Sequence, residues 1–104
     1  MLKKDGLYYF MWSTGFWTDG TYAVLYAVSG SPLGPFENAE TLLESQPPVA
    51  EGPGHHGYLY YEPADEWLIV YHRRIIGDSA PGHRVLCIDR MNVGNGMIDG
   101  VVMT

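Results

Sequence analysis

Two adjacent histidines follow a Gly-Pro-Gly sequence near the middle of the chain, within residues 51–57. Glycine and proline favour tight turns, so the sequence predicts a rigid turn that holds His55 and His56 at the start of a strand. Consecutive side chains on a strand point to opposite faces, so both imidazoles can reach one site only across a bulge. We therefore expect one of the two to bind a ligand; the alternative is that both only form hydrogen bonds within the turn.

Zinc binding is a second chemistry that these histidines suggest. His72, His83 and Cys87 add nitrogen and sulfur ligands further along the chain. Structural zinc sites take their ligands from compact sequence pairs, and two adjacent histidines with scattered partners do not form such pairs. The spacing therefore argues against zinc.

Glycosidic bond cleavage is a third chemistry, and it requires a pair of carboxyl groups. Asp89 lies between Arg84 and Arg90, which predicts a surface ion pair or a contact on the strand ladder. Glu51 is the only carboxylate in a loop suited to hold a ligand, and one carboxylate does not make a mechanism. The available carboxylates are Glu51, Glu62, Asp65, Glu66 and Asp89.

Aromatic and arginine side chains at strand ends suggest a surface for sugars. Trp12, Phe16 and Trp17 lie near the end of a predicted strand and in the loop after it, where their rings could face a sugar instead of the core. Arg74 ends another predicted strand and could orient hydroxyl groups or bind a carboxylate, although a salt bridge at the rim is an equally good explanation.

The elements that must position these residues are all strands. Short runs rich in aromatic and β-branched residues alternate with turns such as Asp19-Gly20, Pro81-Gly82 and Asn95-Gly96. No segment has sustained helical periodicity, so we expect an all-β antiparallel meander, with residues 42–45 as a turn or outer strand. The predicted strands are residues 7–13, 22–29, 57–62, 66–73 and 84–93.

A weak internal repeat divides the chain into two units. Residues 5–13 resemble residues 65–73 at an offset of 60, which is 65 minus 5. Several strands in a repeat of this size are typical of propeller blades, which must stack to bury their faces. We expect one partial-propeller domain over residues 1–104. Its first blade, residues 1–49, would lack the inner strand, and residues 50–104 would form the final blade.

Composition and charge limit the possible partners. The chain is 46% hydrophobic and 13% aromatic, and its formal net charge is -6, which disfavours nucleic acid and anionic membranes. No apolar run approaches the ~20 residues of a membrane span, and we expect no signal peptide at the start of the chain. Cys87 lies in an apolar run and is expected to be a small core residue.

Several motifs in order resemble glycoside hydrolase family 43, the β-xylosidase and α-L-arabinofuranosidase propellers. These motifs are KKDGLYYFMWSTG, YAVLYAVSGSPLGPF, GPGHHG, DEWLIVYHRR and HRVLCIDRM. The resemblance covers nearly the whole chain and implies about two blades of a five-bladed β-propeller with a central sugar pocket.

The resemblance also implies what each residue does. Such enzymes invert with a base, an auxiliary Asp and an acid Glu, and all three positions are expected to be absent because the acid motif would precede Met1. Glu51 occupies the later GPGH position and is not assigned as the acid. The resemblance places His55 toward the central channel, near a largely water-bound Ca²⁺, and His56 toward the blade packing.

We therefore expect part of a glycosidase for xylosides or arabinofuranosides that is inactive alone. His55, Trp12 and Arg74 would bind a pentose-containing oligosaccharide, with His55 also the metal ligand. The alternative is a non-enzymatic module that binds sugar or protein through the truncated propeller surface. Exposed blade faces predict a homo-oligomer, and the family's habit predicts the bacterial cytoplasm for the chain as it stands.

Overall fold

The computed structural model describes residues 1–78, 80 and 83–104, and in these residues regular structure is β-strand apart from one short 3-10 turn, Glu62–Ala64. All strand pairs are antiparallel, which confirms the all-β class. The predicted turn at Pro81-Gly82 lies outside the described residues. The strands are β1 Leu2–Lys4, β2 Leu7–Thr14, β3 Ala23–Ser29, β4 Glu37–Leu43, β5 Glu51–Tyr61, β6 Glu66–Arg74, β7 Val85–Met91, β8 Val93–Gly94 and β9 Met97–Ile98.

The first sheet has the order β1-β2-β3-β4. Alternation along β2 buries Tyr9 and Met11 on the inner face and leaves Phe10 exposed on the outer face. The sequence predicts no inner strand in the first unit. In the structure, Leu2–Lys4 form a strand of three residues that pairs with β2. The outer strand, β4, covers Glu37–Leu43 and so begins before the expected residues 42–45. The sequence did not reveal its first part because those residues are exposed and mostly polar, without hydrophobic alternation.

The second sheet has the order β5-β6-β7. Its strand β5 begins at Glu51, so the expected Gly-Pro-Gly turn is wrong: this sequence is part of an irregular strand. The register shifts twice, between Glu51 and Gly54 and between Gly54 and Gly57. Pro53 therefore faces no ladder partner on β6, and its missing N–H costs no hydrogen bond.

The end of the chain leaves the second sheet and closes over the first. Two short strands, β8 and β9, pair as a hairpin outside the second sheet. Beyond it, the Val101 N–H donates to the Leu42 carbonyl at 2.8 Å, and Val101 and Met103 are buried. These two side chains join Tyr9, Ile69 and other inner-face residues in a core that both sheets share. None of the described helical residues forms a segment long and apolar enough to cross a bilayer.

Candidate functional site

The irregular start of β5 determines where the adjacent histidines point. Gly52 and His55 both have positive φ, at 59° and 50°, and lie at the two register shifts. The N–H of His55 donates to the Ser13 hydroxyl at 3.0 Å, which ties this backbone to the end of β2. The strand is therefore bulged at His55, the condition under which neighbouring side chains depart from simple alternation.

Three rings stack next to this bulge. The rings of Tyr22 and His72 lie 5.9 Å apart at 19°, and those of His55 and His72 lie 5.7 Å apart at 20°. The stack forms because Gly54 pairs with His72 across the ladder and has no side chain to separate the rings. His55 is exposed, whereas His56 is half-buried. Of the two adjacent histidines, His55 is the one whose ring stacks on another histidine, His72.

Two arginines converge on Gly52 at the same end of the sheet. Arg74 is only 4% exposed and donates from Nη2 to the Asp78 carbonyl at 2.6 Å. Arg84 donates from Nη1 to the Gly52 carbonyl at 3.3 Å, and its guanidinium carbon lies 5.5 Å from the centre of the Trp17 ring. Burial, followed by the charge of Arg74, lowers the pKa of Arg84.

Several arginine donors have no acceptor within the described part of the chain. They are Nε of Arg74 and both Nε and Nη2 of Arg84. Nε and Nη2 form one edge of a guanidinium, and this edge matches two oxygens side by side, as in a carboxylate. A buried donor without a partner is costly, so the site has the chemistry to receive oxygen atoms from a ligand or another segment.

The structure brings together only two of the three predicted sugar ligands. His55 and Arg74 lie at the same end of the second sheet. Trp12 lies on the outer face of β2, its ring 5.6 Å from that of Phe10, and it lines a separate apolar cleft. The next residue, Ser13, faces the opposite way and contacts His55. The assignment of all three residues to sugar binding stays a prediction.

Two members of the site were not proposed from the sequence. Tyr22 just precedes β3 and Arg84 just precedes β7; both lie in motifs that carry the family resemblance, but neither was singled out as a ligand. The only sequence signal is Gly54, since a glycine within a strand often marks the close approach of another group. A built Cβ at Gly54 would lie 2.2 Å from the Tyr22 ring.

The residues around His55 do not form a calcium shell. Calcium takes six to eight oxygen ligands, whereas this imidazole stacks on the His72 ring and the Ser13 hydroxyl accepts from the backbone N–H of His55. In residues 1–78, 80 and 83–104, no three His, Cys, Asp or Glu side chains converge on a point. The Ca²⁺ expected from the family resemblance stays a prediction.

Asp89 and Glu66, two carboxylates of the second unit, have partners outside the histidine stack. Asp89 is 7% exposed, accepts hydrogen bonds from Tyr71 and Thr104 at 2.6 Å each, and is not the surface ion-pair member that its sequence neighbours suggest. That prediction was wrong because β7 alternation turns Asp89 inward. Arg90 points outward and pairs with Glu66 at 2.9 Å instead.

Protonation of the buried histidines should destabilise the protein. Burial lowers the pKa of both His72 and His56 below 6.5, and the charges of Arg84 and His55 add to the effect on His72. The unfolded state then binds more protons, so we expect the melting temperature to fall as pH drops below about 6.5. Thermal melts of His72→Gln from pH 7.5 to 5 should show a smaller pH slope. An unchanged slope would contradict this. His83→Gln removes an exposed histidine that pairs with Asp78, so this control should not reduce the slope.

Known proteins resemble the chain along most of its length. The sequence profile described as "Glycosyl hydrolases family 43" matches residues 1–98. A β-D-galactofuranosidase of Aspergillus niger is 42% identical over 92 residues, covering 88% of this chain and 27% of the relative. A β-xylosidase of Xylanibacter ruminicola is 36% identical over 72 residues, covering 69% of this chain and 20% of the relative.

Solved structures share the same strand arrangement. A thermostable family-43 glycoside hydrolase has a TM-score of 0.83 at 31% identity, over 96% of this chain and 33% of that one. An α-L-arabinofuranosidase of Clostridium thermocellum has a TM-score of 0.69 at 31% identity, over all of this chain and 35% of that one. The expected antiparallel meander of about two propeller blades is thereby confirmed. The chain belongs to glycoside hydrolase family 43.

Proposed function

We propose that this chain is part of a glycosidase that hydrolyses xylosides or arabinofuranosides and is inactive by itself. The observation that carries the proposal is the family 43 match over residues 1–98. The names of its relatives include a β-xylosidase and a β-D-galactofuranosidase, so a galactofuranoside is a further candidate substrate. The chain spans only 27% and 20% of these two relatives, so the activity of the whole protein is part of the proposal.

The site supports sugar binding through hydrogen-bond donors and ring faces. The Arg84 guanidinium, with two buried donors that lack a partner, packs against the exposed ring of Trp17, and the exposed His55 lies at the same end of the sheet. Sugars offer hydroxyl oxygens to such donors and C–H faces to such rings. These residues would hold and orient one sugar ring.

In the part of the chain that the structure describes, His55 has no hydrogen bond or ring contact with a carboxylate, whereas inversion requires a pair of carboxyl groups. An inverting glycosidase needs a base that activates water and an acid that protonates the leaving oxygen, about 6.5–9.5 Å apart. The backbone N–H of His55 donates to the Ser13 hydroxyl, and its imidazole stacks on the His72 ring. This arrangement supports binding without cleavage.

Hydrolysis assays test the proposal directly. We expect the purified 104-residue chain to release no nitrophenol from β-D-xyloside, α-L-arabinofuranoside or β-D-galactofuranoside beyond the buffer rate. Glu51→Gln, the change at the one carboxylate within the GPGH region, serves as the matched variant. Turnover by the chain that disappears in Glu51→Gln would overturn the assignment of this chain as inactive.

The second candidate is a module that associates through its outer sheet faces. Leu86 and Ile88 are 77% and 54% exposed on one face of β7, and Leu33 is 95% exposed beside the outer face of the first sheet. Exposed apolar faces of this kind favour association. This role uses no sugar site.

Light scattering tests the association. We expect a homo-oligomer at micromolar concentration, and we expect Leu86→Glu with Ile88→Glu to shift it toward monomer because charges would be buried in the contact. Thr18→Glu, which adds a charge in an exposed loop away from β7, is the control. A clean monomer of the unmodified chain would contradict the association.

A further inference from the structure

A second cleft lies at the opposite end of the second sheet. It has a volume of about 430 Å³ and is bounded by the start of β6, the end of β7 and the β8–β9 hairpin. Trp67 lines it, whereas His72 of the candidate site lies five residues further along β6. Five strand residues span roughly 17 Å, so the two sites are separate.

The polar lining of this cleft suits a ligand with many hydroxyl groups. Asn92 and Asn95 supply amides that both donate and accept, and Asp99 supplies a carboxylate. Lys4 and Arg90 also line the cleft, each paired with a carboxylate: Lys4 with Asp5 and Arg90 with Glu66. Positive and negative groups are interspersed, so the lining does not select an ion of one sign and instead offers donors and acceptors in several directions.

An aromatic ring provides the apolar part of the lining. Trp67 is half-buried and packs against the core, and the centre of its ring is 5.0 Å from that of Tyr60 and 6.0 Å from that of Tyr58. The Tyr60 hydroxyl donates to Asp65, which fixes that ring in turn. Trp67 is thus held in place, and an aromatic ring of this kind can pack against the C–H face of a sugar.

The backbone that presents the two amides is also preformed. Asn95 and Gly96 have positive φ, at 55° and 78°, and form the tight turn of the hairpin. The Gly96 N–H donates to the Tyr9 hydroxyl at 3.2 Å, and the Asp99 N–H donates to the Asn92 carbonyl at 3.0 Å. A site held in this way loses little conformational entropy when a ligand binds.

We propose that this cleft binds a short segment of a neutral polysaccharide, separately from the site around His55. The volume lies within the range of small-molecule sites. Its aromatic wall and mixed polar groups match the two surfaces of a sugar ring. The kind of sugar, a xylose-based chain, rests on the proposed function. The existence of the site does not.

Titration with xylotetraose tests the site. Asn92 and Asp99 are exposed, so Asn92→Ala and Asp99→Ala should leave the fold intact and weaken binding by about tenfold each, because each removes a hydrogen-bonding group. Glu44→Ala changes an exposed residue that belongs to neither site and should leave binding unchanged. Amide chemical shifts in NMR should move at residues 92–99.

The possible outcomes separate the two proposals. Binding that is lost in His55→Ala and retained in Asp99→Ala would overturn the second site, and so would the absence of any binding at millimolar sugar. A cleft that binds galactose-based but not xylose-based oligomers would support the site and contradict the xylose-based assignment. The hydrolysis assay is independent of all of these results.

Discussion

Gly54→Ala should destabilise the protein by about 3 kcal/mol, because overpacking a close contact costs this much when the neighbour cannot move away. A Cβ at this position would lie 2.2 and 2.4 Å from two carbons of the Tyr22 ring. That ring cannot retreat easily, since it stacks on His72. Urea denaturation measures the effect as a lower midpoint with an unchanged slope.

A glycine three residues away provides the control. Gly57 lies on the same strand and has nothing within 4 Å of a built Cβ, so Gly57→Ala should not destabilise the fold. Adding Tyr22→Ala to Gly54→Ala should make the glycine change much less costly than it is alone. If Gly54→Ala is as stable as Gly57→Ala, the close packing of Tyr22 on β5 is wrong.

Asp89→Ala should cost about 2 kcal/mol, mainly because it leaves the buried Tyr71 hydroxyl without an acceptor. Tyr71 is 1% exposed and donates to Asp89 Oδ2 at 2.6 Å, while Thr104 donates to Oδ1 at 2.6 Å. The same carboxylate therefore ties the end of the chain to β7. Burial, reinforced by Asp89, raises the pKa of Tyr71, which keeps this phenol protonated as a donor.

Two further variants isolate this hydrogen bond. Asp89→Asn retains an acceptor oxygen and should lose less stability than Asp89→Ala. Arg90→Ala removes a surface ion pair from the adjacent position and should change the free energy of unfolding little. In a double-mutant cycle, Asp89→Ala should cost less when Tyr71 is already phenylalanine. Equal costs in both backgrounds would contradict the bond.

Local sequence predicted most strands of the fold. Aromatic and β-branched runs identified β2, β3, β6 and β7 to within a few residues, since strand preference and alternation are properties of neighbouring residues. The short β1 and the polar β4 escaped because neither has enough alternating hydrophobic residues to produce a pattern. The β8–β9 hairpin depends on which strands pair with each other, and a local sequence pattern does not determine pairing.

The candidate site was predicted less completely. The sequence drew attention to His55 and to Arg74, which lie at one end of a sheet, and it grouped Trp12 with them although the pleat turns Trp12 to another face. Tyr22 and Arg84 were not proposed, because their proximity to His72 and Gly52 comes from strand pairing.

The amino-acid sequence by itself determined the family and the all-β class, because ordered motifs and strand-forming runs are carried by neighbouring residues. Only the tertiary structure decided that β5 is bulged at His55, that Asp89 is buried, and that the chain end closes over the first sheet. These features depend on which distant backbone or side chain fills the space beside a residue. Register and packing determine that contact, and neither is a property of a short stretch of sequence.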